Sequence, residues 1–167
     1  MDEYAISSTI LGHQAKMEES SYIHKSHNVT VLIYHLVTPA KYRRVIFNEE
    51  LDEYLCKICE AIENRYEIRF LEIGTDDDHV HFLLQSVPMY SPTKVAQIVK
   101  SITAKKMFEQ YPSLKEKLWG SEFWTKGYFM STVGKHGDEK KLRNYVKNQG
   151  SGKASYKTFQ QKQLKLF

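Results

Sequence analysis

Along residues 78–86, apolar Val80, Phe82 and Leu84 alternate with His79, His81, Leu83 and Gln85. This period of two predicts a β-strand with Val80, Phe82 and Leu84 in a core and both histidines on the opposite face, about 7 Å apart. Upstream, Val29–Val37 is apolar at nearly every position, as in a central strand covered on both sides. Asn48 is a good helix N-cap, with Glu49 and Glu50 in the first turn. Leu51, Tyr54, Leu55, Ile58, Cys59 and Ile62 then recur at helical spacing to about Tyr66. Ile68–Gly74 is a second strand, and the turn Thr75-Asp76-Asp77-Asp78 joins it to the histidine strand as a hairpin.

Pro88 ends that strand. Ser91 and Pro92 open a helix carrying Val95, Ile98, Val99, Ile102 and Phe108 on one face and Lys94, Lys100, Lys105 and Lys106 on a basic flank. Pro112 breaks it, and a short helical turn spans Leu114–Leu118. Phe123-Trp124 and Gly127–Val133 are expected to form another strand. A last helix starts near Asp138 and runs to about Gln149, where Gly150-Ser151-Gly152 stops it. The order βαββαβ predicts an α+β, ferredoxin-like fold: an antiparallel sheet with two helices on one face. The C-terminal helix could lie across the other, histidine-bearing face.

The 167 residues suit one domain with tails, and no disulfide is needed for a core of that size. The expected organisation is a leader arm over 1–28, partly disordered or ordered only against a partner, a domain over 29–150 and a basic tail over 151–167. The net charge of +4 is unevenly distributed. Residues 1–28 hold four acids against two lysines, 92–117 hold six lysines against two acids, and the last fifteen residues hold four lysines and no acid. A basic body suits a polyanionic partner, although a solvated lysine surface gives the same composition. The N-terminus is acidic and lacks an apolar signal region, and no apolar run approaches the roughly 18 residues of a membrane span. A cytoplasmic protein with reduced thiols is expected, with no membrane partner. Cys56 and Cys59 match C-x-x-C, but with no second pair they are read as helix residues.

The chemistry centres on His79 and His81, which can share one metal ion. Tyr145 and Gln149 lie four residues apart, on one face of the last helix. Two imidazoles and an amide oxygen suit Mg²⁺ or Mn²⁺, with zinc possible on ligand type alone. A phenol is a poor nucleophile alone, but beside a metal-polarised phosphodiester Tyr145 could attack phosphorus. Taken singly, each of these features is common in proteins that do no such chemistry. Lys41-Tyr42-Arg43-Arg44 suits phosphate contact and base stacking, or equally a charged edge that blocks aggregation. Arg43, Arg44 and Lys105 are the candidate DNA contacts. Trp119, Trp124 and Tyr128 are expected in the core more than on a stacking surface. Asp78 could orient a histidine or serve only its turn. Gly134 and Gly137 form a flexible joint before the last helix, and His136 between them has no assignable role.

Together the motifs resemble a known family. His79-Val80-His81 with Phe82-Leu83-Leu84 looks like the HUH motif, where U is a bulky apolar residue. Lys41–Arg44, Leu118-Trp119-Gly120, Lys126-Gly127-Tyr128-Phe129, Thr132-Val133-Gly134 and Tyr145-Val146-Lys147-Asn148-Gln149 resemble the single-tyrosine transposases of the insertion-sequence 200/605 family. The likeness runs from about Val29 to Gly150. It implies His79, His81 and Gln149 as ligands of a divalent metal and Tyr145 as nucleophile on single-stranded DNA. A 5′-phosphotyrosine link and a free 3′-hydroxyl would result, without a nucleotide cofactor. It also implies a homodimer that recognises DNA hairpins, a tyrosine helix able to dock on the partner's histidines, and Gly134 and Gly137 as part of the joint that moves it. A replication or nicking initiator and a domesticated nuclease of repeat elements share H-x-H and tyrosine. A non-catalytic ferredoxin-like module could bind nucleic acid through exposed aromatics instead.

Overall fold

Strand β1 (Leu32–Pro39) is an interior strand of the sheet, paired on both edges, as its two-sided apolar pattern requires. The fold is that of a computed structural model, which describes residues 23, 27, 30–120, 122–134, 138–148 and 157–159. Around β1 run a 3₁₀ turn (Lys41–Arg43), α1 (Glu49–Arg65), β2 (Arg69–Thr75), β3 (His79–Ser86), α2 (Pro92–Gln110), α3 (Leu114–Lys117), β4 (Phe129–Val133), α4 (Asp138–Lys147) and β5 (Lys157–Phe159). The sheet order is β4-β1-β3-β2-β5, with every neighbouring pair antiparallel. Its first four strands have the ferredoxin-like order the βαββαβ pattern predicts, because each strand–helix–strand crossover leaves room for one strand between its ends.

Local chemistry sets the helix starts. The Asn48 Oδ1 accepts from Leu51 N–H at 3.0 Å, and Ser91 Oγ accepts from Lys94 N–H at 3.2 Å. Each satisfies one of the orphan donors of a first helical turn. Leu55, Ile58 and Ile62 of α1 and Val95 and Val99 of α2 pack on Tyr34, Leu36, Val80, Phe82 and Leu84 of the sheet. This is the main core. The opposite face carries a smaller one, in which Ile33, Leu71 and Leu83 meet Val133 of β4 and Leu142 of α4. Between these layers Gln85 is fully buried; its amide accepts from Ile23 N–H and donates to Thr30 O at 3.4 Å, so backbone near the chain's start satisfies a polar group in the sheet.

Two parts differ from the pattern-based expectation. Phe123 and Trp124 do not belong to a strand: β4 starts at Phe129. Both are core side chains, and Trp124 Nε1–H donates to Thr103 Oγ1 at 2.9 Å. A buried indole needs such an acceptor, and a period of two cannot reveal it. Within the basic tail, Lys157–Phe159 pair with the edge of β2, placing Thr158 opposite Gly74. Among the described residues no helix is long and apolar enough to cross a membrane.

Candidate active site

The alternation of β3 does place His79 and His81 on one face, with ring centroids 4.9 Å apart. Each ring has one nitrogen held. Nδ1 of His79 lies 2.7 Å from Asp78 Oδ1. A carboxylate accepts, so the ring donates through Nδ1–H and keeps the Nε2 lone pair available. The other oxygen of Asp78 pairs with Arg43 Nε at 2.8 Å. Asp78 is thus both a turn residue and the orienter of a histidine. Arg43, expected to contact DNA, is joined to this carboxylate and is largely exposed.

His81 is held by a residue to which the sequence assigned no role. In the register Val37 lies opposite His81 and His35 opposite Leu83, so His35 and His81 are diagonal neighbours on one face. Their rings are nearly parallel, at 18°, and His35 Nε2 sits 2.9 Å from His81 Nδ1. With the proton on His81 Nδ1, His35 accepts and His81 Nε2 carries its lone pair outward. Among the described residues that Nε2 is buried with no hydrogen-bond partner. Burial, helped by the neighbouring His79 and His35, pushes the His81 imidazole down to about 3, and burial alone lowers His35. His81 is therefore neutral at ordinary pH, the state a metal ligand needs.

Tyr145 reaches the same place from α4. Its ring centroid lies 6.1 Å from that of His81 and 6.3 Å from that of His35, edge-on to both. The side chain is 52% exposed, so a substrate has access to it. Buried Val146 seats the helix over β2 at Gly74, which pairs with His81. The helix lies over the histidines of its own chain. Phe129 of β4 stands edge-on to His35 at 6.0 Å and is largely exposed, forming an aromatic rim.

Gln149 and Gly137 lie outside the described residues, as do His136 and most of the leader and tail. Gly134 follows β4 directly and is exposed. Arg44 stacks on Trp119 and Lys105 is paired with Glu109 on α2, in the layer behind the sheet. Of the three large aromatics expected in the core, only Trp124 is there; Trp119 and Tyr128 are exposed. A lone histidine inside an otherwise apolar strand was the available signal for His35, and it lacked the register that makes it a neighbour of His81.

The residues present fit a divalent metal. Two imidazoles are fixed through Nδ1, and the orphaned buried Nε2 of His81 is a polar atom that needs a partner. Among the described residues no group of three His, Cys, Asp or Glu side chains comes together as a metal centre, so a further ligand has to be of another type or come from elsewhere.

Residues 28–149 match the family described as IS200-like transposases. The chain is 31% identical over 118 residues to the ISDra2 transposase TnpA of Deinococcus radiodurans, covering 71% of this chain and 84% of that protein. It is 33% identical over 132 residues to the transposase for insertion sequence element IS200 of Salmonella typhimurium, covering 79% of this chain and 84% of that one. Among crystal structures, a protein described as a transposase of Deinococcus radiodurans R1 matches with TM-score 0.61 at 28% identity, over 76% of this chain and 97% of that one. A REP-associated tyrosine transposase bound to a REP hairpin matches with TM-score 0.55 at 7% identity, over 78% and 73%, a likeness of fold alone.

Proposed function

This chain belongs to the IS200-like transposase family, and from that premise we propose that it cleaves and rejoins single-stranded DNA with Tyr145 as the nucleophile. The observation that carries the reading is the position of Tyr145, exposed and edge-on to the His35–His81 pair on a helix seated against β2.

In the proposed step the Tyr145 oxygen attacks a backbone phosphorus. A tyrosyl P–O bond forms as the bond from phosphorus to the 3′-oxygen breaks. The phenol loses its proton, and the departing 3′-oxygen gains one. The product is a 5′-phosphotyrosine with a free 3′-hydroxyl, and attack by a 3′-hydroxyl reverses the step and joins strands. Phosphodiester energy is conserved, so no nucleotide cofactor enters. His79 and His81, with Gln149 as third ligand, would hold Mg²⁺ or Mn²⁺, which supplies Lewis-acid stabilisation of charge on the phosphate. Asp78 and His35 hold the two imidazoles in orientation through their Nδ1 atoms. The same-fold relative bound to a hairpin supports hairpin ends as the recognised DNA, and a homodimer is the proposed assembly, with Gly134 and Gly137 flanking the joint of the tyrosine helix.

The test is a denaturing-gel assay with single strands copied from both flanks of the encoding locus, with Mn²⁺ or Mg²⁺. A protein–DNA adduct on one strand, absent in Tyr145→Phe although that variant still binds, is the expected result. Normal cleavage by Tyr145→Phe removes the nucleophile assignment.

A further inference from the structure

Tyr42, Arg43 and Trp119 are non-glycine residues with left-handed backbone, at φ 57°, 53° and 52°. Steric contact with Cβ disfavours this region for L-residues, and bulky ones are rare there. The three come from two turns far apart in sequence, the 3₁₀ turn after β1 and the turn after α3. Both turns bring their aromatic side chains to one spot. The Tyr42 and Trp119 rings are 5.9 Å apart and inclined at 51°, and the Arg44 guanidinium lies 4.3 Å over the indole.

Core packing does not account for this cluster. Tyr42 is 58% exposed and Trp119 72% exposed, whereas nearby Trp124 is buried with its N–H satisfied. The platform is nevertheless held firmly from beneath. Lys41 N–H donates to Phe123 O at 2.8 Å, the Lys41 ammonium pairs with Glu122, and Ala40 N–H donates to Asp78 O at 2.8 Å. Arg43 adds the ion pair to Asp78, whose other oxygen holds His79. Two polar contacts thus connect the strained turn to the candidate metal ligand.

We propose that Tyr42, Arg44 and Trp119 form a stacking platform for an unpaired base of the DNA strand cut at Tyr145. The inference rests on the single-strand reading of the active site. An exposed indole beside a phenol offers a π-face to any base, and an arginine over the ring adds cation–π attraction and a cation for the adjoining phosphate. Such stacking tolerates sequence, so the platform would register a flanking nucleotide rather than identify it. Through Asp78 the turn that carries the platform is tied to His79, on the face that holds Tyr145.

The test is fluorescence titration of the full chain, without metal, with a mixed-sequence single strand of about 20 nucleotides and with a base-free strand of the same phosphate number. The base-bearing strand should quench Trp119 emission; in Trp119→Phe, Trp124 remains as the internal control. Trp119→Ala should weaken binding of the base-bearing strand by roughly tenfold and leave the base-free strand unaffected, with Trp119→Phe recovering most of the loss. Equal affinities of wild type and Trp119→Ala for the base-bearing strand overturn the platform while leaving the tyrosine chemistry to its own adduct assay. So does equal quenching by both strands. If sedimentation shows that Trp119→Ala changes self-association and not DNA affinity, the patch is a contact between copies and the proposal fails. Absence of any single-strand binding by wild type overturns the platform and the single-strand reading together.

Discussion

Gly74 lies so close to the backbone of Val146 that a Cβ on the glycine would meet the valine carbonyl oxygen at 2.6 Å. Gly74 is also the β2 partner of His81. The one position in β2 without a side chain is therefore where the tyrosine helix rests, directly beside a candidate ligand. A backbone carbonyl cannot rotate away as a long side chain would, so a methyl group there has to move the helix or the strand.

Gly74→Ala should accordingly displace α4. The expected cost is about 1–3 kcal/mol in stability, typical of overpacking, with a larger proportional loss of adduct formation because Tyr145 leaves its place over the histidines. Thermal unfolding and single-turnover adduct assays on the same samples check this. Full adduct rate in a folded Gly74→Ala protein would show that the seat of α4 does not matter to the chemistry.

His35→Leu removes the acceptor for His81 Nδ1. Manganese affinity, measured by titration calorimetry, should fall about 10–100-fold, as when outer partners of metal-bound histidines are lost. His35→Gln, which restores an acceptor, should recover part of it. Unchanged affinity in the leucine variant would make His35 a packing residue.

Asp78 is shared between His79 and Arg43, and the two halves of that contact separate experimentally. Asp78→Ala should weaken manganese binding by about tenfold or more, since His79 loses its orienting acceptor. Arg43→Ala leaves the Asp78–His79 bond in place and should change it much less. The Arg43–Asp78 coupling in a double-mutant cycle of stability should be small, about 0.2–1 kcal/mol, because the arginine is largely exposed.

The His81 imidazole titrates near 3 in the fold against 6.5 as its ordinary value. Between those pH values the unfolded chain binds a proton that the folded chain does not. Stability from this group is thus fully present above about 6.5 and is lost as pH falls toward 3, with a slope of at most about 1.4 kcal/mol per pH unit. Metal-free wild type should lose more Tm between pH 7 and 5 than His81→Gln does. Equal losses would assign the acid sensitivity to other groups.

Much of this was legible in residue order. Strict alternation in β3 sent His79 and His81 to one face because side chains on a strand point to alternate sides, whatever surrounds them. Asn48 and Ser91 marked helix starts because capping is local chemistry. Tyr145 carried no signal alone and gained one only from its order among the other motifs.

The sequence by itself determined the strand and helix periods, the two-helix layer and the shared face of the paired histidines, since these depend on residues within a few positions of one another. Only the tertiary structure decided that His35 serves His81, that Gly74 seats Val146, that Trp124 is buried while Trp119 stands exposed with Tyr42 and Arg44, and that tail residues Lys157–Phe159 complete the sheet edge. Each of those depends on strand register or on two distant turns meeting. Register is a collective result of pairing and packing across the sheet, and no local pattern encodes it.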